Sequence, residues 1–524
     1  MSGIITYSPK VFIPLTSLCR DRCGYCTFAK APHRVESPYL STESIVEVAN
    51  AGSAAGCHEA LFTLGEYPEF RYPQAREWLD QNGFTSTVDY LVAAAQEVLD
   101  VTGLLPHANA GALDHADLSL LRLVSPSQGM MIESLNPDLV AHRGAPDKTP
   151  ERRLATLNAA GELQIPFTTG ILVGIGESRE DRVAALEAIA TAHEKYGHVQ
   201  EVIVQNFVPK QDTQMRNWPA CSPQAFLETI AIAREILPAS VHLQAPPNLT
   251  DDLDTLLESG IDDLGGISPI TADFVNPEKP WPSLELLRDR VEASGRTLVP
   301  RLTIYPEFVR DPETWIAPEL RFAVMDRSDA DGFARDDIGA TFPEKYKDAA
   351  NVGTGAEVIQ IGRRSTAWYS GADTAPPILI SGSETDSSDG PVVEILESVR
   401  AGHQVTESEI VTLFRARGAD IGAIASLANT LREEANGNDV TFVRNRNINY
   451  TNVCTFKCTF CGFSKGPLSL NLRGAPYLLN DSEIADRVLE AHALGATEVC
   501  LQGGIHPSFD GDYYINVARV VKEA

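Results

Sequence analysis

Short apolar runs alternate with longer stretches of helical periodicity over roughly the first three hundred residues. The runs fall at Val11 to Leu15, Glu59 to Leu64, Leu104 to Asn109, Gln128 to Ile132, Phe167 to Val173, Glu201 to Phe207, Val241 to Ala245 and Ile261 to Gly266. Runs of this length bounded by turn residues read as buried strands. Between them, Thr42 to Ala55, Thr87 to Thr102, Pro150 to Leu163, Arg179 to Glu194 and Pro223 to Leu237 read as helices. Strands that alternate with helices must run parallel, because a parallel pair needs a long crossover. Eight such βα units predict an α/β fold of the (β/α)8 TIM-barrel type. A flatter doubly wound sheet is the alternative reading of the same pattern.

Past Leu302 the rhythm decays, and "GADTAPPILISGSETDSSDGP" from Gly371 to Pro391 has the composition of a linker. Val392 to Asn436 then returns to helical spacing, and "VTFVRNRNINYTNVC" supplies a new strand. The division expected is a barrel over 1–310, a partly disordered linker over 311–390, a helical segment over 391–440 and an incomplete second barrel over 441–524.

Composition changes the picture mainly by exclusion. The 524 residues carry 71 Asp+Glu against 43 Lys+Arg, a formal charge of -28. That charge disfavours a nucleic-acid or anionic membrane partner. The start lacks a basic segment followed by a long apolar core, so a cytoplasmic location is expected. Nine cysteines, six of them in two tight groups, suit a reducing compartment with metal sites better than a disulfide framework.

Those groups are "CRDRCGYC" and "CTFKCTFC". Cys454, Cys458 and Cys461 each stand 435 positions after Cys19, Cys23 and Cys26, so the chain contains an internal repeat. The remaining thiols, Cys57, Cys221 and Cys500, fall outside the shared pattern and read as small core residues. A structural zinc ion needs four ligands; His33 could serve the first group, but the second has no histidine before His492. A 4Fe-4S cluster held by three thiolates instead leaves one iron open to an exogenous ligand, which implies a reaction. Tyr25 and Phe460, each just before the last cysteine, are placed to cover such a cluster.

Cys-x3-Cys-x-aromatic-Cys resembles the hallmark of the radical S-adenosylmethionine (radical SAM) enzymes. The resemblance implies a 4Fe-4S cluster at Cys19, Cys23 and Cys26, a second possible at Cys454, Cys458 and Cys461, S-adenosylmethionine as co-substrate, and a one-electron reductant. Further cofactor-binding positions are expected at the ends of predicted strands. Tyr25 covers the cluster. "TLGE" supplies Gly65 and Glu66 in the manner of a Gly-Gly-Glu motif, with Leu64 in place of the first glycine. "MMIESLNPDL" supplies Glu133 and Ser134. "TTGILVGIGES" supplies Gly170, Gly174 and Glu177, with Leu172 at an isoleucine position.

Amides and hydroxyls dominate the later strand ends: Gln205, Asn206, Gln244, Asn248, Asp263, Ser268, Thr271 and Asp273 are the expected substrate contacts, suited to a neutral polyhydroxylated molecule. These phrases resemble the deazaflavin-ring-forming half of the FO synthase family of coenzyme F-420 biosynthesis, over about Pro9 to Leu302. "NRNINYTNVCTFKCTFCGF" and "QGGIHP" resemble its partner half, which joins a tyrosine-derived hydroxybenzyl group to 5-amino-6-(D-ribitylamino)uracil. The resemblance implies a lyase and transferase pair acting on small molecules, with no nucleic acid or membrane partner. A radical enzyme of tyrosine or menaquinone-precursor chemistry, or a non-catalytic iron-sulfur carrier, would share the clusters. Thr441 to Ala524 has room for about two βα units, so this chain is expected to close the ring without joining tyrosine. No residue is singled out for proton transfer.

Overall fold

The computed structural model describes residues 3–250, 252–276, 278–335, 390–456, 458, 461–466 and 475–524. They divide into two units, one holding the described residues up to 335 with 390–424, the other 425–524.

In the first unit eight parallel strands follow one another in chain order: β1 (Ile4–Thr16), β2 (Glu59–Leu64), β3 (Leu105–Asn109), β4 (Ser127–Gly129), β5 (Phe167–Val173), β6 (Val199–Asn206), β7 (His242–Gln244) and β8 (Asp263–Ile267). β8 pairs with β1, which also pairs with β2, so the sheet closes and the doubly wound alternative falls. Helices Thr42–Ala54, Thr87–Thr102, Pro150–Glu162, Arg179–Tyr196 and Pro223–Ile236 stand where their periodicity places them. Each begins at a Ser or Thr whose side chain accepts a backbone N–H of the first turn: Ser41, Ser86, Thr149, Ser178 and Ser222. These caps fix where each loop ends, and the loops at the C-terminal ends of the strands carry the site.

The barrel does not stop at 310. β9 (Thr297–Pro300) pairs with Ile4–Tyr7 of β1, on the edge that β2 occupies from Lys10 to Thr16. The chain then crosses the N-terminal end of the barrel. Buried Arg301 reaches Asp263 at 2.6 Å and Glu201 at 3.4 Å, and the Thr303 carbonyl accepts from Ser127 Oγ at 2.9 Å and Gln200 Nε2 at 3.0 Å. Helices Pro312–Trp315 and Pro318–Arg327 follow, with Ile316, Leu320 and Val324 packed against Leu105, Leu302 and Tyr305. Residues 311–335, expected as linker, are therefore part of the first unit; their short proline-started helices show too little periodicity to read in advance. The remainder of the expected disordered linker, 336–389, lies outside the described residues.

The segment expected as one helical block over 391–440 comprises Pro391–Arg400, Glu407–Phe414 and Ala419–Asn436, and the boundary between units falls inside the last. Its first part belongs to the barrel unit, where Arg417 pairs with both Asp329 and Asp331 at 2.8 Å. The second unit pairs β10 (Asn445–Thr451) in parallel with β11 (Glu498–Gly503). Helices Asp481–Ala493 and Gly511–Glu523 pack on them around Ile448, Tyr450, Ile484 and Val517.

Candidate active site

β1 ends at Thr16, and the next ten residues form the loop that carries Cys19, Cys23 and Cys26. Main-chain bonds hold this loop: Arg20 N donates to the Glu66 carbonyl at 2.8 Å, Gly24 N to the Ala141 carbonyl at 2.7 Å and Lys30 N to the Ser17 carbonyl at 2.7 Å. Gly65 N donates to the Thr16 carbonyl at 3.0 Å. A Cβ at Gly65 would overlap the Leu18 carbonyl oxygen and come within 2.7 Å of Cys19 Cβ, so only glycine lets the end of β2 lie against the cysteine loop.

The three cysteines open onto a cavity of about 260 Å3 lined also by Asp21, Tyr25, Leu64, Gly65, Glu66, Asn109, Met131, Glu133, Lys148, Arg153, Gln205, Asn206 and Lys210. Two buried charge centres face it. Glu66 Oε1 pairs with Arg153 Nη2 at 2.5 Å, and Oε2 accepts the Ala112 N–H at 3.0 Å. Arg153 also donates to the carbonyls of Asp147 and Met131, both at 3.1 Å. Glu133 receives the Tyr25 hydroxyl, His142 Nε2 at 3.0 Å and Lys148 Nζ at 2.5 Å. Its backbone takes the left-handed conformation (φ 62), which a non-glycine residue adopts at a cost of about 1–3 kcal/mol and which aims the carboxylate at those three donors.

The charge states follow. Burial alone would raise Glu133, but Lys148, the His142 hydrogen bond and Arg153 hold it well below the usual carboxylate range. Burial, then Cys23 and Glu133, keep the Tyr25 phenol protonated. Burial, then the Glu66 carboxylate, push Asp21 up to about 6. Burial, then Glu66 and Asp21, push the Cys19 thiol up to about 12, so iron must displace a tightly held proton.

The description of the Radical SAM superfamily matches residues 13–189 and 448–524, a segment in each unit. The FO synthase of Mycobacterium tuberculosis is 42% identical over 545 residues, covering 99% of this chain and 63% of that protein. The 7,8-didemethyl-8-hydroxy-5-deazariboflavin synthase of Methanopyrus kandleri is 48% identical over 337 residues, covering 63% of this chain and 100% of that protein. The chain belongs to the FO synthase family of radical SAM enzymes. It spans about 63% of the length of the Mycobacterium tuberculosis relative.

A radical SAM enzyme uses a 4Fe-4S cluster and S-adenosylmethionine, and the donor set of the first unit fits both. Three thiols on one loop face the cavity, whose described lining contains no fourth thiol and no histidine, so these cysteines would hold a cluster and leave one iron for an exogenous ligand.

Of the positions expected to bind cofactor, Tyr25, Gly65, Glu66 and Glu133 line the cavity. Ser134, Gly170, Gly174 and Glu177 do not. Ser134 is buried and its Oγ accepts from Asn136 N at 3.2 Å. Gly170 lies inside β5 against the backbone of Ile203. The Glu177 carboxylate accepts the N–H groups of Gly174 and Ile175, both at 2.8 Å, and pairs with Arg182 at 3.2 Å, so it shapes the loop after β5.

Among the expected substrate contacts, Gln205 and Asn206 line the cavity and the others do not. Asp263 is turned into the barrel toward Arg301 and Thr6. Gln244 is buried beside Gly265. Ser268 and Thr271 bond to each other at 2.6 Å, and Asp273 holds Asn248 at 3.1 Å and Asn276 at 2.8 Å, which braces the loop after β8. Reading strand-end polarity alone could not separate a group that faces a ligand from one that braces a loop.

Arg153, Lys148 and His142 were not expected, yet they set the charge of the site. One signal existed for Arg153: it stands in the first turn of the helix Pro150–Glu162, where the helix dipole disfavours a cation unless an anion waits nearby.

In the second unit the cysteine loop repeats these main-chain bonds. Thr455 N donates to the Ile505 carbonyl at 2.9 Å, Gly504 N to the Thr451 carbonyl at 2.9 Å and Lys465 N to the Asn452 carbonyl at 2.6 Å. A Cβ at Gly504 would overlap the Val453 carbonyl, as at Gly65. Ile505 takes the backbone position of Glu66. Phe460, expected to cover this second group, lies outside the described residues.

Proposed function

We propose that the first unit forms the deazaflavin ring of 7,8-didemethyl-8-hydroxy-5-deazariboflavin. Its substrate is 5-amino-5-(4-hydroxybenzyl)-6-(D-ribitylimino)-5,6-dihydrouracil, and ammonia is released. Cys19, Cys23 and Cys26 hold the cluster. When bound, cluster and S-adenosylmethionine supply a 5'-deoxyadenosyl radical that takes a hydrogen atom from the substrate. The observation that carries the reading is the three-thiol cavity with its opposed charges: an amino acid brings an ammonium and a carboxylate together, and Glu66 and Arg153 offer one complement to each. Glu133, kept ionised, can accept ribose hydroxyls.

Asn206 favours a pyrimidine substrate. Its Nδ2 donates to the Leu249 carbonyl at 2.9 Å, while its Oδ1 is buried without a partner among the described residues and so calls for an N–H donor such as a uracil imide. The test is anaerobic reconstitution followed by incubation with the hydroxybenzyl adduct, S-adenosylmethionine and a one-electron reductant. Deazaflavin fluorescence and ammonia in equal amounts are expected; consumption of S-adenosylmethionine without deazaflavin would refute the assignment.

For the second unit we propose a second cluster at Cys454, Cys458 and Cys461, supported by the repeated main-chain bonds of its loop. Replacing all three by Ala should lower iron from about eight to about four per chain. Unchanged iron would overturn this.

A further inference from the structure

A second, larger cavity of about 910 Å3 opens beside the first, and its origin is a seam in the barrel. β8 pairs with β1 only between Thr6 and Pro9, whereas β1 continues to Thr16, paired on its other edge with β2. Above Pro9 the β8 side of β1 therefore has no strand partner among the described residues. The chain after β8 is tied back to it lower down, through Phe12 N to Thr271 Oγ1 at 3.1 Å and the stacking of Trp281 on Phe12 at 5.5 Å. Beyond that tie the loops after β1, β6 and β8 line the larger cavity.

The two cavities share a wall. Phe28 and Lys210 line both. The Val275 carbonyl accepts from Thr27 Oγ1 at 3.1 Å and from Lys210 Nζ, so three loops are pinned at one atom. Val275 faces the cluster cavity while its neighbour Phe274 faces the seam.

Volume decides what each space can hold. Sites for ligands of drug size measure about 300–1,000 Å3. The cluster cavity measures about 260 Å3 and the seam cavity about 910 Å3, so the seam is the space of ligand size beside the cluster loop. We propose that the seam cavity is the binding site of the ring-bearing substrate, a neutral heterocycle with a polyol and a phenol, whose reacting end passes Phe28 and Lys210 to reach the cluster cavity. This rests on the ring-forming reading above. Phe28 and half-exposed Phe274 supply apolar plates for the rings. Ser17 and Gln211 supply a hydroxyl and an amide, and Lys30 and Lys210 stand among Glu36, Asp212 and Glu278, which suits a polyol and disfavours an anionic ligand.

The test uses the reconstituted full chain with two variants, Gln211→Trp to obstruct the seam and Phe274→Ala to remove a plate. The KM for the hydroxybenzyl adduct and the affinity for the fluorescent deazaflavin product should each worsen about tenfold, the equivalent of about 1.4 kcal/mol. The KM for S-adenosylmethionine, its uncoupled cleavage and the iron content should stay within about twofold of wild type. An active wild type whose adduct KM and product affinity are unchanged in both variants overturns the seam site alone. A parallel loss of S-adenosylmethionine affinity also overturns it, because the cavity would then serve the co-substrate. A wild type that makes no deazaflavin overturns the underlying activity, and the seam site with it.

Discussion

Glu66 and Arg153 meet at 2.5 Å behind the cysteine loop, both buried, and Glu66 N also donates to Cys19 Sγ at 3.2 Å. One residue thus touches the cysteine loop through its backbone and lines the cavity with its carboxylate. Glu66→Gln keeps the shape and the Ala112 hydrogen bond, so iron content should be unchanged while S-adenosylmethionine affinity falls more than tenfold, read by titration of the reconstituted protein. Normal affinity would remove Glu66 from the site; loss of iron as well would give it a folding role. The cysteines divide in the same way. Cys23→Ala should lose the first cluster, whereas Cys57→Ser, in the apolar core, should cost about 1–3 kcal/mol for a buried hydroxyl and keep its iron. Iron and sulfide analysis of the two proteins separates these outcomes.

At the scale of elements, the site depends on β2 reaching the loop after β1. Gly65→Ala places a methyl group on the Leu18 carbonyl and Cys19 Cβ, so the loop must move although the barrel core is untouched. The variant should fold with a wild-type circular dichroism spectrum and bind substoichiometric iron in the first unit; full iron occupancy would contradict the close-approach argument. The chain after β9 has the opposite character, supporting the fold from the far end of the barrel. Arg301→Met would leave Asp263 and Glu201 buried without their cation, a loss of about 3–5 kcal/mol. Chemical denaturation should show that loss, while the protein that remains folded should bind S-adenosylmethionine as wild type does.

For the whole molecule, pH acts on stability through His242, which stacks on Tyr305 at 4.3 Å and bonds to Asp262 at 3.1 Å and Glu307 at 3.3 Å, joining β7 to the chain after β9. Burial pulls its pKa down, but the hydrogen bonds and charges of Asp262 and Glu307 win and raise it to about 9. A histidine raised above its unfolded value of about 6.5 contributes fully below that pH, and the contribution is lost as pH rises toward 9. The urea midpoint should therefore fall between about pH 6.5 and 9 in the wild type and flatten over that window in His242→Asn. Equal slopes in the two proteins would show that His242 does not set this dependence.

The sequence by itself determined what local chemistry can specify. Period and length place β2, β5 and the helix Thr87–Thr102 at their observed bounds, because a buried strand and an amphipathic helix each leave a repeat that neighbours cannot erase. The cysteine spacing likewise belongs to one short loop in each copy and carries Tyr25 with it, while Gly65, Glu66 and Glu133 were legible because each sits within a few residues of a strand end. What the tertiary structure decided was which polar residues line the cysteine cavity. All four carboxylates are paired, but Asp263 begins β8 and meets Arg301 at the N-terminal end of the barrel, and Glu177 turns back on the Gly174 and Ile175 amides, whereas Glu66 and Glu133 line the cysteine cavity. Arg153 joins the site from a helix 87 positions beyond Glu66, and the seam exists because β8 ends its pairing at Pro9. Both depend on where the barrel closes, and closure is a property of all eight strands at once.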